Sequence, residues 1–216
     1  MKKLYVIFGG NFDPIHYGHI YLAEKLAKEI SIEKIIFLPN NYPPHRNRTK
    51  TSILDKIKMI KLAIHKNPLF QISYLETKKN HFFYTIDTLK KVRKKISHLR
   101  PLCFIMGEDN LQTFYLWKDW RKILLYSHLL IYPREHKKNN NHNDDEFKKW
   151  IDCHTVYDLN LLNKQSFGLI YFSHGSSINI SSSKIRKNYS TGKSSYALLP
   201  SIVNNYIISK KLYHND

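Results

Sequence analysis

Two histidines follow a glycine pair near the start of the sequence and together could bind an anion. Gly9 and Gly10 end an apolar run, and His16 and His19 lie three residues apart in the segment that follows. Because glycines carry no side chain, backbone N–H groups there can come close to a ligand. At the start of a helix, residues at this spacing point the same way, and the helix offers its positive end to phosphate. The segment therefore predicts a phosphate-binding turn.

Metal binding is the alternative for a histidine pair at this spacing. The nearby carboxylate, Asp13, precedes a proline in a turn, and no third ligand follows closely in the sequence. The dinucleotide-binding pattern G-x-G-x-x-G and the Walker P-loop are both missing from the sequence. These observations favour phosphate binding over metal coordination, and they disfavour a hydride-transferring Rossmann enzyme.

A serine-rich stretch much later in the sequence has the features of a second helix start. Ser181, Ser182 and Ser183 are good helix caps, and Arg186 follows about one helical turn later. Taken alone, the serines predict only a capped helix. Together with the histidine pair, they predict a second helix start that binds phosphate, with a guanidinium beside it.

Alternating apolar runs and helical patterns predict the elements that position these residues. Apolar runs predict strands at 4–8, 34–38, 70–75, 102–106, 129–132 and 169–172. Helical periodicity marks the segments 22–30, 54–64, 85–96, 181–188 and 202–207. The alternation predicts a single α/β domain, with a Rossmann-like, doubly wound, mainly parallel sheet and helices on both faces. Ligands of such sheets bind beyond the carboxyl ends of the strands, where both phosphate-binding segments lie.

Composition narrows the class of protein. The 216 residues, 42% of them hydrophobic, predict a folded domain. No apolar run approaches the roughly 20 residues that span a bilayer, and the first run stops too early for a signal peptide. We therefore expect a cytoplasmic protein with no membrane partner. The two cysteines, Cys103 and Cys153, form no C-x-x-C pair, which disfavours a disulfide framework or a thiolate zinc site.

The formal net charge of +18 admits three interpretations. The charge can reflect nucleic-acid binding, solvated surface lysines, or a field that gathers small polyanions such as ATP. Lysines scatter along the sequence and gather in no single long block. We therefore expect no nucleic-acid partner, and a nucleic-acid-binding module stays a remote alternative.

The two phosphate-binding segments resemble the two signatures of the nucleotidyltransferase superfamily. The segment from Gly9 to His19 is similar to G-G-x-F-D-P-x-H-x-G-H, and the segment from Ile180 to Arg186 is similar to the Ser/Thr-rich turn with its nearby Arg. The resemblance implies that His16, His19 and Arg186 are catalytic. It implies that ATP is bound by Gly9, Gly10, Phe12, Gly107, Asp109, Ile180, Ser181 and Ser183.

Within the superfamily, the sequence resembles the bacterial nicotinate mononucleotide adenylyltransferase family nearly from end to end. The further matches are a substrate loop at 39–46, Y-T-x-x-T-L at 84–89, G-x-D at 107–109 and a Trp at 117. The resemblance implies substrate binding by Asn40, His45, Arg46, Tyr84, Thr85, Trp117 and Arg134. Free N–H groups at Thr85 would suit a nicotinate carboxylate, and Trp117 would stack on the pyridine ring. In one departure, Arg134-Glu135-His136 stands where the family often has R-P-G.

The reaction that the resemblance implies is adenylyl transfer from ATP to nicotinate mononucleotide, which gives nicotinate adenine dinucleotide and pyrophosphate in NAD biosynthesis. The implied cofactor is Mg²⁺ carried on the ATP phosphates, with no metal ligand from the protein. Adenylyltransferases for nicotinamide mononucleotide or phosphopantetheine are the alternatives. We expect one nucleotidyltransferase domain over 1–216, with a C-terminal helical part from about 181 to 216 packed on it, as a monomer or small homo-oligomer.

Overall fold

Seven parallel strands form one sheet in the computed structural model, which describes residues 2–40, 51–78, 82–133, 145–174 and 180–214. The strands are β1 (Leu4–Gly10), β2 (Ile32–Pro39), β3 (Phe70–Ile72), β4 (Leu102–Gly107), β5 (His128–Tyr132), β6 (Thr155–Val156) and β7 (Ile170–Phe172). Their order across the sheet is β3-β2-β1-β4-β5-β7-β6, and every neighbouring pair is parallel. The order reverses between β1 and β4, so a crevice for a ligand is expected beyond their carboxyl ends.

Helices cover both faces of this sheet. They are α1 (Tyr17–Glu29), α2 (Ile53–Ile64), α3 (Thr85–Arg93), α4 (Glu108–Leu111), α5 (Asp145–His154), α6 (Ser182–Ser190) and α7 (Ser201–Ser209). Successive β1 side chains point to opposite faces, with Val6 and Phe8 in one buried cluster and Ile7 in the other. Helices α1, α2, α6 and α7 pack on the first cluster, while α3 and α5 pack on the second. The predicted doubly wound α/β fold is confirmed.

The sheet edges and α5 differ from the sequence prediction. Strand β3 ends at Ile72 rather than at residue 75, because only three of its residues pair with β2. Helix α5 is not among the segments that the sequence predicts to be helical, and it buries only Phe147 and Ile151. Two buried residues are too few to give a clear period. Within the described ranges, none of the helices has the length and apolar character needed to cross a bilayer.

Two buried titratable side chains lie in the fold with opposite effects on stability. Burial lowers the pKa of His128 to about 4; its Nε2 donates to the carbonyl of Gln165 (3.1 Å), and its Nδ1 accepts from the N–H of Leu169 (3.1 Å). Burial raises the pKa of Glu76 to about 7, although the Thr88 hydroxyl donates to its Oε1 at 2.7 Å. The fold therefore favours the neutral form of both groups.

The pH dependence of stability should reveal this opposition. As the pH falls from 6.5 to 4, the unfolded chain takes up a proton at His128 before the folded chain does, so stability is lost. As the pH falls from 7 to 4.5, the folded chain takes up a proton at Glu76 first, so stability is gained. Each group contributes up to about 3 kcal/mol, and the two contributions largely cancel.

Urea unfolding of His128→Gln and Glu76→Gln between pH 4 and 7 tests this opposition. Relative to the wild-type protein, His128→Gln should gain stability toward low pH, because only the Glu76 contribution remains. Glu76→Gln should lose stability toward low pH for the converse reason. Profiles of the free energy of unfolding that run parallel to the wild-type profile would contradict the assignment of both groups.

Candidate active site

The turn between β1 and α1 stacks His16 on His19. Their ring centroids lie 3.8 Å apart with an interplanar angle of 29°, and both residues are buried. The backbone N–H of His16 donates to Nδ1 of His19 at 3.3 Å. In a neutral His19 ring, this bond assigns the proton to Nε2. The histidine spacing thus brings two imidazoles together, and it makes His19 Nε2 a hydrogen-bond donor of the kind that a phosphate oxygen needs.

Aromatic rings fill the space that side chains at Gly9 and Gly10 would occupy. A Cβ at Gly9 would lie 2.9 Å from the ring of Phe104, and a Cβ at Gly10 would lie 3.0 Å from the ring of Phe12. Phe12 has a φ of 45°, is buried, and packs its ring 5.0 Å from His19. The glycines therefore serve close packing beneath the histidine pair, a role that the sequence interpretation did not include.

The second segment reaches the turn directly. Ser181 caps α6, since its hydroxyl accepts from the N–H of Lys184 at 3.2 Å. The hydroxyl of Ser182 donates to the carbonyl of Pro14 at 3.0 Å. Nη1 of Arg186 donates to the carbonyl of Asp13 at 2.7 Å, and its Nη2 donates to the Ser183 hydroxyl at 3.3 Å. The start of α6 therefore lies against the turn that carries the histidines.

Four residues that meet at this turn, Asn11, Asp13, Lys56 and Tyr213, were not predicted from the sequence as part of the site. Asp13 has no exposed surface, and its Oδ1 accepts from the Tyr213 hydroxyl at 2.6 Å. Lys56 of α2 is 3% exposed, and its Nζ donates to Oδ1 of Asn11 at 2.6 Å. Burial lowers the pKa of Lys56, Asp13 opposes this effect, and Arg186 adds to it. A sequence signal existed for Lys56 alone, because it lies on the apolar face of α2 beside Ile53, Ile57 and Ile60.

The ends of β2 and β4 flank the histidine turn. The N–H of Asn40 donates to the carbonyl of Gly10 at 3.2 Å, so Asn40 lies beside the glycine pair. Asp109 folds back over Gly107, where a Cβ would collide with Oδ1 of Asp109. Gly107 pairs with Tyr132, whose ring lies 6.1 Å from that of Phe8. Ile180 is partly buried against the cluster on the α1 face.

Two of the residues assigned to the pyridine substrate, Tyr84 and Thr85, lie at the start of α3. Tyr84 is its N-cap and Thr85 its first residue, as the sequence predicts. Nζ of Lys118 lies 4.8 Å from the ring centroid of Tyr84 and 3.0 Å from Oδ2 of Asp87. Trp117 is half-buried, with its ring 5.3 Å from that of Phe114. Tyr84 and Trp117 pack on the face opposite α1 and α6.

A groove of about 300 Å³ runs along α3 and is lined by Phe82, Phe83, Tyr84, Asp87, Lys90, Lys91 and Lys94. In the part of the chain that the structure covers, no three His, Cys, Asp or Glu side chains gather as a metal site. His45, Arg46 and Arg134, which were also predicted to bind substrate, lie outside the described residues.

Comparisons with known proteins agree on a family. Residues 7–188 match a family model described as cytidylyltransferase-like. The chain is similar to a probable nicotinate-nucleotide adenylyltransferase of Buchnera aphidicola subsp. Acyrthosiphon pisum (strain 5A), with 78% identity over 216 residues and 100% of both chains covered. It is similar to a probable nicotinate-nucleotide adenylyltransferase of Yersinia enterocolitica, with 38% identity over 212 residues, 98% of this chain and 96% of the relative.

A solved structure shares the fold. The chain resembles Plasmodium falciparum nicotinic acid mononucleotide adenylyltransferase complexed with NaAD, with a TM-score of 0.71. The match covers 98% of this chain and 97% of the Plasmodium chain at 21% sequence identity. At this level of sequence identity the likeness establishes a common fold.

The link between Arg186 and the turn should contribute measurably to stability. Arg186→Met removes a charge-assisted donor from the Asp13 carbonyl and should lower the free energy of unfolding by about 1–2 kcal/mol. Lys187→Met removes the same charge from an exposed position in the same helix, and it should cost less than about 0.5 kcal/mol. Urea unfolding measures both. Equal losses in the two variants would contradict a structural link through Arg186.

Proposed function

This chain belongs to the cytidylyltransferase-like family, and on that premise we propose that it is a nicotinate-nucleotide adenylyltransferase. It transfers the adenylyl group of ATP to nicotinate mononucleotide and releases nicotinate adenine dinucleotide and pyrophosphate. The full-length relatives at 78% and 38% identity are both named as probable enzymes of this activity. The contact between Arg186 and Asp13 carries the proposal, because it joins the second superfamily signature to the turn of the first.

The chemistry of the reaction asks for alignment and charge stabilisation more than for proton transfer. The phosphate of nicotinate mononucleotide is ionised at neutral pH and needs no general base. Pyrophosphate is a good leaving group and needs little general acid. What remains is to hold the two phosphates in line and to stabilise the charge that develops on the α-phosphate.

We assign this stabilisation to His16, His19 and Arg186. The stacked imidazoles stand at the start of α1, and the guanidinium projects from α6 to the same turn. Both helices begin at this turn, and a helix N-terminus favours an anion through its N–H groups and its dipole. His19 Nε2 donates to a phosphate oxygen in this assignment, which the bond from His16 N–H to its Nδ1 supports.

The remaining residues divide into two groups around the phosphates. The first binds ATP through the glycine turn, the α6 start and the end of β4: Gly9, Gly10, Phe12, Gly107, Asp109, Ile180, Ser181 and Ser183. Asp109, placed after a buried strand, accepts from a ribose hydroxyl. The second binds the mononucleotide through Asn40, Tyr84, Thr85 and Trp117. The start of α3 selects a carboxylate over a neutral amide, because a helix N-terminus stabilises negative charge.

We propose that Mg²⁺ accompanies ATP and is held by its phosphates. The carboxylate nearest the turn, Asp13, is buried and accepts from Tyr213, and the described side chains form no cluster of three or more metal ligands. When bound, the ion supplies charge neutralisation to the phosphates. Roles for His45, Arg46 and Arg134, a cytoplasmic location and a monomeric or small oligomeric state stay predictions from the sequence.

A paired substrate assay tests the pyridine specificity. With ATP and Mg²⁺, kcat/KM for nicotinate mononucleotide should exceed that for nicotinamide mononucleotide by on the order of 10-fold, since only the former brings a carboxylate to the start of α3. Pyrophosphate release measures both reactions under identical conditions. Equal values, or a preference for the amide, would favour the alternative substrate, and turnover with phosphopantetheine alone would move the enzyme to another branch of the superfamily.

Loss of the His19 imidazole should act mainly on turnover. His19→Ala removes a donor to the reacting phosphate and should lower kcat by on the order of 10²-fold or more. The control is His98→Ala, which removes an exposed imidazole from a distant loop and should leave kcat unchanged. Steady-state kinetics separate kcat from KM in both. Near-normal turnover of His19→Ala would remove this residue from the proposed mechanism.

A further inference from the structure

We propose that Tyr213 is a positioning residue for adenylyl transfer, because its hydroxyl orients the Asp13 carboxylate and so keeps the cations of Arg186 and Lys56 in place. The inference rests on the proposed function, and it adds a residue that neither superfamily signature contains. Three separate parts of the chain meet at the short segment from Asn11 to Asp13: Lys56 from α2, Arg186 from α6, and Tyr213 from the segment after α7.

The path of the chain after α7 is determined by contacts made beyond the helix. Lys211 takes a left-handed conformation (φ 48°), and the N–H groups of Lys211 and Leu212 donate to the carbonyls of Ile208 and Ile207 at 3.1 and 3.0 Å. This helix ending normally has glycine at the left-handed position. Tyr213 is also left-handed (φ 68°). Two such residues persist only where their surroundings hold them, and here Leu212 packs on the core while Tyr213 bonds to Asp13.

The bond from Tyr213 to Asp13 is short and lies in a buried place. The distance from the Tyr213 hydroxyl to Asp13 Oδ1 is 2.6 Å, as expected when a carboxylate accepts from O–H. Burial, reinforced by the Asp13 carboxylate, raises the pKa of Tyr213, so the phenol keeps its proton at neutral pH. Asp13 Oδ2 has no hydrogen-bond partner within the described ranges. The Tyr213 hydroxyl is therefore a main determinant of how this carboxylate is turned.

Removing the hydroxyl would leave a buried carboxylate beside two cations. Lys56 donates to the Asn11 side chain and Arg186 to the Asp13 carbonyl, so the three charges meet at one short segment. Accordingly, Asp13 raises the pKa of Lys56 and Arg186 lowers it. An Asp13 carboxylate released from Tyr213 would turn toward one of these cations, because a buried charge seeks a partner. Arg186 would then be neutralised inside the protein rather than by phosphate, and its bond to the Asp13 carbonyl would weaken. Such a shift should affect the transition state more than substrate binding.

The chain contains a closely matched control for this bond. Tyr206 of α7 donates from its hydroxyl to Oδ1 of Asp55 at 2.8 Å. Like the Tyr213 bond, it joins a tyrosine of this region to a carboxylate, and both tyrosines are half-buried. Asp55, however, belongs to the first turn of α2 and lies outside the segment from Asn11 to Asp13. Tyr206→Phe therefore removes the same kind of bond without touching the histidine turn.

The experiment compares the kinetics and the thermal unfolding of Tyr213→Phe and Tyr206→Phe with those of the wild-type protein. We expect a larger decrease in Tm for Tyr213→Phe than for Tyr206→Phe, because Asp13 is fully buried, whereas Asp55 is partly exposed and still accepts from the Ser52 hydroxyl. Tyr213→Phe should lower kcat by on the order of 10-fold with KM for both substrates within about threefold, while Tyr206→Phe should keep kcat within about twofold. A wild-type protein without turnover would overturn the proposed function and this inference with it. Wild-type turnover with equal kcat in the two variants, or a change in KM alone for Tyr213→Phe, would overturn this inference only.

A second comparison places the substitution in the Asp13→Asn background. If Tyr213 acts through the Asp13 carboxylate, adding Tyr213→Phe to Asp13→Asn should change kcat by less than about twofold, because the charge that needs orienting is already gone. A further 10-fold loss in the double variant would show that Tyr213 acts elsewhere and would overturn the inference. This comparison also decides the question if Tyr213→Phe alone does not fold.

Discussion

The contact between the Arg186 guanidinium and the Asp13 carbonyl is the constraint on which the arrangement of the site depends. It joins two segments that lie 173 residues apart in the sequence, and the Ser182 hydroxyl reinforces it from the same helix start. Two helices that begin in different parts of the chain thereby present their positive ends to one region. The sheet makes this meeting possible, since β1 lies between β2 and β4 and its carboxyl end opens at the reversal of strand order.

Much of the fold and the polar framework of the site could be predicted from the sequence, because both depend on local pattern. The central strands are continuous apolar runs, α1 and α2 repeat with a clear helical period, and the Ser181 cap of α6 and the start of α3 at Thr85 are local signals. The histidine stack follows from a spacing of three residues at a helix start. Where the residues of a short segment determine its conformation, that conformation can be predicted from the sequence alone.

The features that could not be predicted from the sequence depend on contacts between residues that are far apart in it. Strand β6 has only two residues, and its pairing with β7 arises from the sheet rather than from its own composition. Nothing in the sequence around Tyr213 indicates a partner 200 residues away, and the burial of Asp13 gives no local pattern. Lys56 differs in that a lysine on an apolar helix face already indicates a buried charge. The partner of Lys56, the side chain of Asn11, could be identified only from the structure. The side of the sheet on which Tyr84 and Trp117 pack likewise depends on the order of the strands and not on their local sequence.

The aromatic rings that fill the space beside Gly9 and Gly10 have a consequence for how the turn responds to a ligand. The rings of Phe104 and Phe12 leave no room for the backbone to settle inward, and Phe12 in turn supports His19. A turn packed in this way already has its binding conformation before a nucleotide binds. Binding of the triphosphate therefore needs little free energy to order these peptide groups. More of the intrinsic binding energy can then lower the barrier to reaction.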